Sequence, residues 1–176
     1  MEFFEAFYDD GKPRGLVERG EVHRRGLWHK AAQVLICNSR KELLLQKRAA
    51  NKDLYASLWD FAVGEHLKPQ EAFAAGAARG LQEELGVHDC CLRPLDEPTS
   101  LEMRGKGYID REIQQGFFGV YDGDFEIDTS EVDQVRFVSL EDLRSEFAEK
   151  PASFTPWFIK QWPARMSWLL SEGLIE

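Results

Sequence analysis

Apolar residues fall along this chain in short alternating or unbroken runs, separated by clusters of Gly, Pro, Asp and Asn, with helical spacing confined to a few longer stretches. Residues 3–8 and 14–19, parted by the turn formers Asp9 to Pro13, predict an N-terminal hairpin over 3–19. Ala31 to Cys37 and Glu42 to Gln46, joined by Asn38-Ser39-Arg40-Lys41, predict a second hairpin. The succession Leu43-Leu44-Leu45 calls for burial on both faces of its strand. A short extended run from Leu58 to Val63 ends at Gly64, and Leu92 to Leu101, Ile109 to Tyr121 and Val132 to Val138 predict further strands.

Residues 71–85 predict a helix. Pro69 lies just ahead, Glu71 sits in the first turn, Gly86 follows as a C-cap, and Phe73, Ala77, Leu81 and Leu85 share one face. Ser139 predicts the N-cap of a helix over 140–148, with Asp142 completing an approximate capping box. Thr155 and Pro156 open an aromatic-rich helix of about 156–171, bent at Pro163. Its aromatic residues Trp157, Phe158, Trp162 and Trp168 read as core or interface rather than as a stacking platform. No repeat or linker interrupts the 176 residues, and 43% hydrophobic content suits one compact domain over 1–176.

A net charge of -9 disfavours nucleic acid as a partner and makes the binding of any polyphosphate depend on a metal ion and a few local basic side chains. Cys37, Cys90 and Cys91 have neither zinc nor disulfide spacing, so a reducing, cytoplasmic setting is expected. No window resembles a membrane span, and none a secretion signal. His23, His29, His66 and His88 show no metal-ligand spacing and read as surface or structural histidines.

The candidate chemistry lies in GEHLKPQEAFAAGAARGLQEELGV, residues 64–87. A hard divalent cation needs several oxygen ligands, and helix positions three and four apart share a face, as 80, 83 and 84 do. The segment resembles the Nudix box, Gly-x5-Glu-x7-Arg-Glu-U-x-Glu-Glu-x-Gly-U with U a bulky aliphatic. Glu71, Arg79, Leu81, Glu83, Glu84, Gly86 and Val87 match seven of its nine specified positions. The opening glycine is replaced by Glu65, with Gly64 one residue earlier, and the glutamate after the arginine is replaced by Gly80.

The resemblance implies an α/β fold, an α/β/α sandwich with a mixed sheet, the box helix on one face and the C-terminal helix on another. It implies Mg²⁺ or Mn²⁺ held by Glu83 and Glu84, with backbone carbonyls of Gly64 or Glu65 in the preceding loop, and Glu71, Arg79 and Gly86 in structural roles. Arg79 is placed to pair with Glu83 within the helix. Glu131, in the acidic loop ahead of the strand ending Phe137-Val138-Ser139-Leu140, is a further candidate metal ligand or base, or an ordinary loop carboxylate. Glu112 is a similar candidate. Either Glu65 returns the carboxylate lost at Gly80, or Gly76 and Gly80 form a small-residue packing face on a decayed site.

Outside the box, residues 29–34, 43–53 and 58–67 resemble the Nudix branch related to isopentenyl diphosphate isomerases. In that branch Lys47, Arg48 and Lys52 lie near the substrate entrance, where they contact phosphates or form a solvated hairpin end. Those isomerases place a catalytic cysteine just before the box, where this chain has Trp59 to Val63. The expected function is therefore metal-dependent hydrolysis of a small-molecule diphosphate: a nucleoside diphosphate linked to another moiety, or a related organic pyrophosphate. An impaired Nudix domain that only binds a diphosphate or a protein is the second reading, and a prenyl diphosphate isomerase the third.

Overall fold

A computed structural model describes residues 2–105 and 107–176. The expected first hairpin is β1 (Phe3–Phe7) and β2 (Pro13–Glu18). It runs directly into a short helix that the hydrophobic pattern did not announce, α1 (Arg19–Arg25), capped by the Glu18 carboxylate on the Glu21 amide at 3.0 Å and ended by Gly26. Seven residues are too few to establish a periodic stripe, and α1 buries only Val22.

The spine of the sheet is β3 (Trp28–Cys37), with β9 (Tyr108–Val120) parallel beside it over its whole length. On its other edge β3 meets three strands in turn: β1 at Trp28, β6 (Val63–His66) at residues 31–34, and β4 (Leu43–Arg48) at Cys37. Beyond these, β5 (Trp59–Asp60) and β10 (Val132–Val138) pair with β4, while β7 (Arg93–Pro94) and β8 (Thr99–Gly105) pair with β9. Among the described residues all the other strand pairings are antiparallel, so the sheet is mixed.

Side chains alternate across β3, and the two sets define two cores. Ala32, Val34 and Ile36, with Val63 and Phe117, pack under Ala77, Leu81 and Leu85 of α2 (Phe73–Leu85). Leu35, Cys37 and Phe118 pack under α3 (Leu140–Glu149) and α4 (Pro156–Ser171), through Leu143, Phe158, Trp162 and Leu169. This is the α/β/α sandwich the resemblance implied.

The expected N-caps at Ser139 and Thr155 are present: Asp142 N–H donates to Ser139 Oγ at 3.1 Å and Phe158 N–H to Thr155 Oγ1 at 3.2 Å. Several bounds differ: the run 92–101 is divided between β7 and the start of β8, and β3 begins at Trp28 rather than Ala31. Helix α2 starts at Phe73 rather than Glu71, because Gln70 has φ +63 and the Glu71 carboxylate instead accepts the Lys68 amide at 2.8 Å. The run 58–63 is split into β5 and the start of β6, and β6 continues through Gly64 to His66. Gly86 ends α2 at φ +68, its N–H donating to the Gln82 carbonyl.

Candidate functional site

Strand β6 carries the two consecutive residues from which the site is built. Glu65 lies opposite Ala32 and His66 opposite Ala31, so the pleat sends Glu65 to the α2 face and His66 to the α4 face.

On the α2 face, the missing side chain at position 80 makes room for β6. A Cβ built on Gly80 would stand 2.6 Å from Val63 Cγ1 and 3.0 Å from Glu65 Cβ. The Glu65 side chain therefore occupies the space beside α2 that a residue at 80 would fill. Of the two sequence-based accounts of Gly80, close packing is the one these contacts describe.

Arg79 fastens this wall more broadly than the single in-helix pair expected for it. It donates twice to Glu71 at 2.8 Å, to the His66 carbonyl at 3.0 Å and to Glu83 at 3.0 Å, and stands 3.1 Å from Glu65. Burial raises the pKa of Glu65, and the Arg79 charge opposes that rise. Glu84 is buried and pushed up to about 8, first by burial and then by the neighbouring Glu65 charge. Glu83 points outward and pairs with Lys68 at 3.3 Å as well as with Arg79. Glu131 is ion-paired with Lys52, and Gly64 is held in the ladder opposite Gln33.

On the α4 face, three histidines that sequence spacing left scattered come together with Asp110. His23 comes from α1, His29 from β3, His66 from β6 and Asp110 from β9, and their ligating atoms all lie within 4.8 Å of one another. Their separation in sequence hid the cluster. His88, the fourth histidine, is exposed and lies apart from the cluster. Glu112, two residues along β9 from Asp110, stands 3.3 Å from His66 Nε2. It belongs to this group, across the sheet from Glu83 and Glu84.

The donor set suits a cation. Nδ1 of His29 must carry the proton it shares with the Leu27 carbonyl at 3.1 Å, which aims the Nε2 lone pair into the cluster. That Nε2 and Asp110 Oδ1 are both buried without a hydrogen-bond partner, although only 3.5 Å apart. Burial lowers His23 to about 4 and His66 to about 3, and lowers His29 well below the usual range, so all three are neutral near pH 7. Burial also raises Asp110 and Glu112, and their mutual repulsion adds to the rise in Asp110. Neutral imidazoles beside costly buried carboxylates are a ligand mixture that a divalent metal ion satisfies.

A cleft of about 990 Å³ takes in both walls. Arg48, Lys52 and Arg19 bring positive charge to it, whereas Lys47 is engaged with Asp133 at 3.4 Å. Trp157, expected in core or interface, lines the cleft as well: its Nε1–H donates to Asp60 at 2.6 Å and Arg48 lies over its ring at 5.2 Å. Burial pushes Asp60 up to about 6, against the opposing Arg48 charge. No cysteine lines the cleft. Cys37 is packed in the α4-side core, its thiol pushed up to about 12 by burial, and Cys90 sits against the Val120 carbonyl.

Residues 27–158 match the NUDIX domain family. Curated relatives include an isopentenyl-diphosphate Delta-isomerase of Pectobacterium atrosepticum, 35% identical over 150 residues that cover 85% of this chain and 83% of that protein. An uncharacterized Nudix hydrolase of Pseudomonas aeruginosa is 31% identical over 145 residues, 78% of this chain and 80% of the relative. Among solved structures, a Deinococcus radiodurans protein superposes with a TM-score of 0.67 at 17% identity, covering 84% of this chain and 90% of its own.

Proposed function

The chain belongs to the NUDIX domain family, and on that footing we propose that it is a divalent-metal-dependent hydrolase of an organic pyrophosphate, such as a nucleoside diphosphate linked to another moiety. The observation that supports this reading is that Glu65 packs against Gly80 and its charge acts on buried Glu84; in it Glu65 takes the place of the carboxylate missing from the box helix.

In this reading Glu84 and Glu65 hold Mg²⁺ or Mn²⁺, with Glu83 and Glu131 at the edge of the same wall and the Gly64 or Glu65 carbonyl as a backbone donor. The cluster of His23, His29, His66 and Asp110, with Glu112 beside it, holds a second cation. The ions supply neutralisation of the diphosphate and a bound water of lowered pKa. Arg48, Lys52 and Arg19 bind phosphate oxygens, and Lys52 can exchange its partner Glu131 for one of them. Arg79, tied to Glu71, keeps Glu65 and Glu83 in place when substrate arrives.

The test is phosphate or nucleotide release from a panel of nucleoside diphosphate derivatives and prenyl diphosphates with Mg²⁺ or Mn²⁺. Wild type is expected to turn over at least one nucleoside diphosphate derivative, and Glu84→Gln to reduce kcat by roughly 100-fold or more. Unchanged turnover in Glu65→Gln overturns the relocated carboxylate. Prenyl diphosphate isomerisation is a second reading, favoured by the isopentenyl-diphosphate Delta-isomerases among the relatives and by the histidine cluster outside the box. The absence of a thiol from the cleft weighs against it, and product analysis on the same prenyl substrates decides.

A further inference from the structure

A line of side-chain amides crosses the α4 face of the sheet and ends on Glu112. Arg165 Nε–H donates to Gln33 Oε1 at 3.0 Å, Gln33 Nε2–H to Gln161 Oε1 at 2.6 Å, Gln161 Nε2–H to Gln114 Oε1, and Gln114 Nε2–H to Glu112 Oε2 at 3.0 Å. Two members come from α4, one from β3 and two from β9. Gln33, Gln114 and Arg165 are buried.

The direction of this line is fixed by its ends. A guanidinium has only donors, which by itself sets the sense of the line from Arg165, and a Glu112 that holds a cation is ionised and only accepts. With Arg165 at one end and Glu112 at the other, each amide between them must accept on its oxygen and donate from its nitrogen. Turning any one amide over would set oxygen against oxygen on one side and nitrogen against nitrogen on the other. Aligned bonds in a buried chain also polarise one another in the same sense.

The Arg165 end is anchored. Its guanidinium lies against β9 at Gly116, where a built Cβ would stand 3.0 Å from Cζ, and it is ion-paired with Asp96. Asp96 in turn accepts the Gly116 amide at 3.0 Å. The other end is the carboxylate whose second oxygen stands 3.3 Å from His66 Nε2, beside the histidine cluster.

The geometry points to Gln161 and Gln114 as positioning residues for the metal centre: a one-way amide relay from α4 holds Glu112 by one oxygen and presents the other to the cation held by His23, His29, His66 and Asp110. This rests on the reading of that cluster as a metal seat. Gln161 does not line the cleft, so its effect on the centre passes through Gln114.

The experiment uses the full chain, stripped of metal and titrated with Co²⁺, whose visible absorption reports its ligands, and with Mn²⁺ by calorimetry. Wild type is compared with Gln161→Met, which keeps the size and removes both hydrogen-bonding functions. Gln161→Glu is the second variant; it still accepts from Gln33 but cannot donate to Gln114. Both variants are expected to bind Mn²⁺ about 10-fold more weakly and to show an altered Co²⁺ spectrum, as loss of a partner behind a metal ligand does. Gln161→Glu is expected to be at least as impaired as Gln161→Met, because Gln114 must then turn its oxygen towards Glu112. Variants that melt earlier yet keep the wild-type affinity and spectrum give Gln161 a packing role only and overturn the relay. A wild-type protein that develops no Co²⁺ spectrum overturns the metal seat itself, and the relay with it.

Discussion

Gly80 is one of the two residues at which the family pattern and this chain part, and its surroundings show what fills the space. A methyl group there would meet Val63 Cγ1 at 2.6 Å, with Glu65 Cβ just beyond. Gly80→Ala gains up to about 1 kcal/mol of helix propensity, but the overpacking costs about 1–3 kcal/mol. We expect net destabilisation, read as a lower midpoint in chemical denaturation with an unchanged slope. Adding Val63→Ala should recover part of the loss, and a Gly80→Ala variant at least as stable as wild type would show that β6 does not rest on this position. The sequence alone marked Glu65 and Gly80 as one acidic gain and one acidic loss. It did not place them against each other, because that contact is made by the register of β6 on β3 rather than by any local spacing.

At the scale of elements, legibility followed length and capping. Helix α2 was readable from Phe73, Ala77, Leu81 and Leu85, of which the last three are buried. The starts of α3 and α4 were readable from Ser139 and Thr155. What escaped was α1, too short for a stripe, and with it the fact that His23 is carried towards His29 and His66. Three imidazoles from three elements share no sequence interval, so only the tertiary fold reveals them. The aromatic character of α4 was legible, but its division was not. Phe158 and Trp162 face the core, while Trp157, one residue earlier, faces the cleft. Phe158 is fully buried and packs on Phe61 at 4.4 Å between centroids. Phe158→Ala is expected to cost about 3–5 kcal/mol, measured by equilibrium denaturation. Trp157→Ala should change stability far less and show itself in substrate KM.

For the whole molecule, the buried titratable groups set a pH profile that depends on metal. In the metal-free protein, Glu84 rises from 4.5 to about 8, and Asp110 and Glu112 rise as well. As pH climbs through that range the unfolded chain gives up these protons first, so stability falls. The three histidines act oppositely. Lowered from 6.5, to about 4 for His23 and about 3 for His66, they leave the unfolded chain binding more protons below pH 6.5, and stability falls as the solution is acidified. Between 4.5 and 6.5 the two sets oppose one another, and because Asp60 and Glu65 are raised as well the carboxylates outnumber the histidines, so the optimum is expected near the acid end of that window, with decline above and below. Saturating Mn²⁺ prefers ionised carboxylates and neutral imidazoles, and should move the optimum above pH 7. Thermal melts across pH, with chelator and with Mn²⁺, check this; identical profiles would mean that the cluster takes no ion.

The pleat of β6 has one more consequence. Because Glu65 and His66 leave adjacent backbone positions in opposite directions, the strand acts as a fixed ruler between the two chemistries. Sliding it by one residue would exchange their sides. On the proposed reading, the reach a ligand needs to touch both is set by the thickness of a single strand.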